Sequence, residues 1–101
     1  MTPPISVDNE ELAEFCRRNS VRRLALFGSV LTERFSESSD VDVLVEFQPE
    51  TRVGYLRMAA MQGELSRVFG GRKVDLRTPR ELSPYFRDEV LRRAAVQYAA
   101  E

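Results

Sequence analysis

The chain has no histidine and a single cysteine, Cys16, and none of its apolar runs approaches the length of a membrane span. Each absence narrows the chemistry. Without histidine there is no Ser–His–Asp triad and no ordinary histidine-bearing zinc site, so carboxylates become the main catalytic option. One cysteine cannot close an internal disulfide, which fits a reducing, cytoplasmic setting. The opening Met1-Thr2-Pro3-Pro4 lacks the basic-then-apolar layout of a secretory signal. A cytoplasmic protein without membrane association is therefore expected.

What is present reads as an ordinary globular protein. The 101 residues are 43% hydrophobic and 31% charged, which argues against disorder and leaves room for one domain over residues 1–101. The net charge of -1 hides a division. Residues 1–50 carry 5 Arg against 10 Asp and Glu, whereas residues 51–101 carry 10 Lys and Arg against 6. An acidic half suits cations and a basic half suits phosphates or an acidic partner, although two solvated surfaces give the same count.

The residue pattern predicts helix, strand, loop, strand, helix, strand, helix. A first helix is expected from about Asp8 to Arg18, with Asp8 capping, Glu11 at the capping-box position, Leu12, Phe15 and Cys16 on one face, and Asn19 as a left-handed stop. Leu24 to Phe27 reads as a buried strand ending at Gly28-Ser29, and Ser36 to Ser39 as loop. From Asp40 to Phe47 the chain alternates, with Val41, Val43, Val45 and Phe47 on one face and Asp40, Asp42 and Glu46 on the other; Leu44 breaks the pattern. Gly54 to Phe69 has helical spacing and stops at Gly70-Gly71. Lys73 to Arg77 alternates again with Asp75 outward, and Ser83-Pro84 signals a last helix bearing Phe86, Val90, Leu91 and Ala94. The expected fold class is α/β (α+β), with helices packed on a small mixed sheet. Cys16, Tyr55, Phe69 and Phe86 are expected in the core, and Tyr85 and Tyr98 either in packing or at a partner interface.

Three aspartates carry the candidate chemistry. Asp40 and Asp42 stand two apart, so a strand presents both on one face. Asp75 completes a cluster if its strand lies beside theirs. Crowded carboxylates repel one another unless cations neutralise them, and such a cluster suits one hard cation or two a few ångströms apart. Gly28 and Ser29 end a strand where a short helical turn, Val30 to Arg34, is expected. A glycine there lets backbone approach a phosphate, with exposed amides and the Ser29 hydroxyl as donors. Taken singly, a Gly-Ser after a strand is usually a turn and an Asp-x-Asp usually a solvent face. Their order and spacing argue otherwise.

The segment LFGSVLTERFSESSDVDVLVEF, residues 26 to 47, resembles the signature of the DNA polymerase β-like nucleotidyltransferase superfamily: Gly-Ser, ten residues, then Asp-x-Asp. Its length and the later Lys73-Val74-Asp75-Leu76 make the chain resemble the minimal nucleotidyltransferase (MNT) group, common as the antitoxin of HEPN–MNT toxin–antitoxin pairs. The resemblance runs from the first helix to the helix expected at Pro84. It implies that Gly28 and Ser29 hold the triphosphate tail, that Asp40 and Asp42 ligate two Mg2+ ions, and that Asp75 ligates the metal nearer the acceptor and helps deprotonate the attacking hydroxyl. It also implies ATP as substrate and a tyrosine hydroxyl of a HEPN-type toxin as acceptor, with adenylylation silencing the toxin.

One departure stands out. Many members carry an arginine soon after the serine, in a Gly-Ser-x-Ala-Arg-Gly run; here the region is Val30-Leu31-Thr32-Glu33, and Arg34 is the nearest arginine. Arg34 is the candidate replacement for nucleotide binding. Arg72 and Lys73 flank the third aspartate as phosphate or RNA contacts or as solvated charges, and direct nucleic-acid binding is not expected. Two alternatives accompany the adenylyltransferase reading: an antitoxin acting by contact alone, and transfer to a small molecule or RNA end, for which relatives usually add an acceptor domain.

Overall fold

The first helix, α1 (Asn9–Arg18), starts where Asp8 accepts hydrogen bonds from the backbone amides of Glu10 and Glu11 at 2.9 and 3.1 Å. Leu12, Phe15 and Cys16 are its buried face. Asn19 caps the end through its side chain, donating to the Phe15 carbonyl at 2.9 Å. It is Ser20, with φ 56°, that takes the left-handed conformation expected of Asn19. The chain then enters β1 (Val21–Phe27), three residues earlier than its apolar run suggests, and turns through a 3-10 segment at Gly28–Leu31 rather than at Val30–Arg34. The strand β2 (Val41–Phe47), the helix α2 (Tyr55–Val68) and the strand β3 (Val74–Arg77) follow, then a 3-10 turn at Pro79–Glu81, the helix α3 (Arg87–Arg93) and the strand β4 (Ala95–Ala99). The computed structural model describes residues 7–36 and 38–100.

The four strands form one sheet in the order β3-β2-β1-β4, with β2 and β3 parallel and both neighbours of β1 antiparallel to their partner. This is the small mixed sheet with packed helices that the pattern implies. Leu24 and Leu26 of β1, Val41, Val43 and Val45 of β2, and Val74 and Leu76 of β3 face the buried sides of α1 and α2, where Phe15, Cys16, Met61, Leu65 and Phe69 complete the core. Cys16 is sealed inside, and burial pushes its thiol up to about 12, as suits a core residue and not a nucleophile. The opposite sheet face carries Asp42, Asp75 and Arg77, but also Ala25 and Leu44, which are paired across β1 and β2 and nearly buried. Leu44 thus breaks the alternation because the second face has its own apolar strip.

Several expectations fail toward the C-terminal half. Tyr55 is 94% exposed at the first residue of α2, whose buried residues are Met61 and Leu65 further along. Phe86 is 62% exposed, since the last helix starts only at Arg87 and buries none of its residues. The Ser83 hydroxyl accepts only from the Tyr85 amide, at 3.3 Å. The helix also gives way at Ala94 to the unexpected strand β4. Tyr98 packs against the core, whereas Tyr85 stands 91% exposed. Among the described residues no helix is long and apolar enough to cross a membrane.

Candidate active site

Register brings two of the three aspartates side by side. Across the parallel pair, Asp42 of β2 is the direct partner of Asp75 of β3, and both side chains leave the sheet on the face away from the helices. Burial raises the titration of the Asp42 carboxyl above its ordinary range; the Asp75 charge and then Asp40 add to this, and Arg77 opposes it. Arg77 lies two residues beyond Asp75 on the same strand face, and its Nε donates to Asp75 Oδ2 at 3.1 Å. Asp40 precedes β2 instead of lying in it. It is exposed, with Oδ2 3.9 Å from Lys73 Nζ, while the adjacent Val41 amide donates to the Lys73 carbonyl at 2.8 Å.

On the other side of Asp42 is the turn after β1. Phe27 is the antiparallel partner of Asp42, and Gly28 follows with φ 76°. A Cβ at position 28 would strike Asp42 Oδ2, so only glycine lets this backbone lie against the carboxylate. The turn is closed at the Ser29 carbonyl, which accepts from both the amide and the hydroxyl of Thr32 at 2.9 Å. Arg34 follows, its amide donating to Thr32 Oγ1 at 3.2 Å. Its side chain is exposed, and among the described residues it pairs with none of the three aspartates. The fold therefore gathers Gly28, Asp42 and Asp75, with Ser29 next in the turn after Gly28, sets Asp40 at the margin, and leaves Arg34 apart.

Among the described residues no three acidic groups close into a ready-made cation cage. Asp40 and Asp75 are turned to Lys73 and Arg77 instead. The donor set nevertheless fits a divalent hard cation: every donor is a carboxylate oxygen, and the ionised form of Asp42 is disfavoured by burial and then by the Asp75 and Asp40 charges, which a bound cation would offset. Arg77 engages Asp75 through Oδ2 and competes with a cation for that carboxylate.

Arg77 is the residue that reading the sequence missed. The sequence signal was limited to a spacing of two from Asp75, which within a strand puts both on one face without fixing the pairing. Arg72 is spent elsewhere, stacked 4.8 Å from the Phe35 ring centroid and donating to the Ser36 carbonyl at 3.2 Å. The larger cleft, about 970 Å3 between the end of β2, the start of α2 and Pro79–Glu81, touches none of the aspartates. A groove of about 750 Å3 does reach Gly28.

Residues 10–96 match the family described as nucleotidyltransferase domain, which takes in the turn, all three aspartates and all of the helices but the first residue of α1. The chain belongs to the nucleotidyltransferase family. This nucleotidyltransferase is 32% identical over 77 residues to a Methanocaldococcus jannaschii protein named "putative protein adenylyltransferase", covering 76% of this chain and 80% of that one. It is 35% identical to a solved structure described as a "putative minimal nucleotidyltransferase", with a TM-score of 0.67 and 85% of each chain covered. Two further solved structures share the fold at lower identity. One, a toxin–antitoxin with AMP-PNP, has a TM-score of 0.72 at 18% identity, covering 94% of this chain and 76% of that one. The other, a tri-AMPylated Shewanella oneidensis HEPN toxin in complex with an MNT antitoxin, has a TM-score of 0.63 at 17% identity, covering 91% and 70%.

Proposed function

We propose that this nucleotidyltransferase is a magnesium-dependent adenylyltransferase that acts as an antitoxin by transferring AMP from ATP to a hydroxyl of a HEPN-type toxin. The observation that carries the reading is the juxtaposition of Asp42 with Asp75 on one side and with the Gly28 turn on the other. The named relatives supply the chemistry to test: one carries the name of a protein adenylyltransferase, and one is an MNT antitoxin bound to an AMPylated toxin.

In this reading Asp40, Asp42 and Asp75 hold two magnesium ions. Bound there, the ions would neutralise the charge that develops on the attacking and leaving oxygens. The amides of the Gly28–Ser29 turn and the Ser29 hydroxyl donate to the triphosphate tail. Asp75 takes the proton from the acceptor hydroxyl as its oxygen bonds to the α-phosphorus. The bond from that phosphorus to the bridging oxygen breaks, and pyrophosphate leaves. Arg34 is the proposed replacement for the arginine missing from the Gly-Ser run, reaching the phosphates from its exposed turn.

The test is incubation of the chain with magnesium, α-labelled ATP and the purified toxin. Label on the toxin is the expected result, lost in Asp42→Asn. A complex that forms without label favours the second reading, an antitoxin acting by contact, to which the isolation of Arg34 from the aspartates lends weight. Label on a small hydroxylated compound or an RNA end, with no protein acceptor needed, would replace the toxin as substrate.

A further inference from the structure

The groove of about 750 Å3 opens on the β1 flank of the acidic pair and starts at Gly28. Phe27 and Leu31 line one side of it, and Phe86 and Val90 line the other. Glu89 and Arg93 stand at its edge, already joined by an ion pair of 3.2 Å. Phe86 is 62% exposed; Tyr55, Leu56 and Tyr85 are more exposed still, but of these side chains Phe86 is the one that lines the groove. Apolar walls with an open ring, beside an exposed carboxylate and an exposed guanidinium, match the two demands of a nucleobase. Its faces stack on aromatics, and its edge offers amino hydrogens and ring nitrogens to partners of both kinds. The volume lies within the range of small-molecule pockets, roughly 300–1,000 Å3.

Position argues for a nucleoside over an acceptor side chain. The sheet order places β3, with Asp75, on one side of Asp42 and β1, with Gly28, on the other. The acceptor oxygen must arrive where Asp75 can take its proton, so it approaches from the β3 flank. The groove lies on the opposite flank and shares Gly28 with the turn that would hold the phosphates.

We propose that this groove is the nucleoside site of the enzyme, taking the purine base of the triphosphate against the ring of Phe86. The proposal rests on the reading of the aspartates and the Gly28 turn as a triphosphate–magnesium site. It assigns to α3 and the residue before it a substrate-recognition role that the aspartates do not supply.

Calorimetric titration of the whole chain with magnesium plus either ATP or inorganic tripolyphosphate tests it. ATP should bind more tightly than tripolyphosphate. Phe86→Ala should weaken ATP by roughly 5- to 150-fold, the loss of one base–aromatic stack, and leave tripolyphosphate unchanged. Phe86→Tyr, which keeps the ring, should retain ATP affinity, and unchanged melting temperatures would show both variants folded. Equal ATP binding by wild type and Phe86→Ala, or a parallel loss for both ligands, overturns the proposal. Tripolyphosphate binding as tight as ATP in the wild type also overturns it, while leaving the phosphate site standing. If the wild type binds neither ligand, the groove and the triphosphate reading fall together.

Discussion

Asp42 is the side chain on which the site's electrostatics converge: it is half-buried, beside one carboxylate in register and near another. Its folded titration lies above the unfolded value of about 3.9, so the native state binds its proton more readily than the unfolded chain does. Without metal, its contribution to stability therefore improves as pH falls through that raised titration and is lost again as pH rises through it. Thermal melts of wild type and Asp42→Asn across mildly acidic pH should show this difference, with the asparagine variant at least as stable near neutrality. Magnesium should raise the melting temperature of the wild type and not of Asp42→Asn, because a ligand stabilises only the state that binds it. Arg77→Gln should cost no more than about 1 kcal/mol, as an exposed ion pair does. By freeing Asp75, it should also lower the magnesium concentration at which that thermal shift is half complete. That Asp42 and Asp75 share a face was legible in the sequence, because a strand has period two. That Arg77 holds Asp75, and Lys73 stands by Asp40, was not, because side-chain pairing depends on which rotamers the finished sheet leaves free.

At the scale of elements, the turn Gly28–Leu31 and the strand β2 make opposite predictions. Gly28→Ala asks a left-handed residue to carry a Cβ, costing about 1–2 kcal/mol, and drives that Cβ into Asp42. Nucleotidyl transfer should fall by far more than the melting temperature indicates, measured by label transfer beside a thermal melt. Val43→Asp, by contrast, puts an unpaired charge into the wholly buried face of β2 and should abolish cooperative unfolding in a denaturant titration. The boundaries of α1, β2, α2 and β3 were readable from periodicity and capping. Tyr55 was misread because helical spacing gives a face but not how much of it is covered, and Phe86 because it precedes the last helix, which starts only at Arg87. The strand β4 escaped for a different reason. Gln97 is skipped in its pairing with β1, so Val96 meets Ala25 while Tyr98 meets Leu24. That bulge sends to opposite faces two residues that strict alternation would put together.

For the molecule as a whole, β4 closes one side of the sheet, and β1 would be its edge without it. Deleting residues 95–99 should expose the β1 hydrogen-bonding groups and the side of the core near Leu24, and produce association visible by size-exclusion chromatography. The order β3-β2-β1-β4 could not be read from spacing, since it depends on pairings between segments far apart in the chain. Both large helices, α1 and α2, are committed to one side of the sheet, and Asp42 and Asp75 project from the other, beside the buried Ala25 and Leu44. On the proposed reading, the partly exposed aspartates leave the reacting phosphorus open to solvent, and water competes for it whenever a protein acceptor is absent. The docked toxin would then be both the recipient of the nucleotide and the missing wall of the reaction chamber.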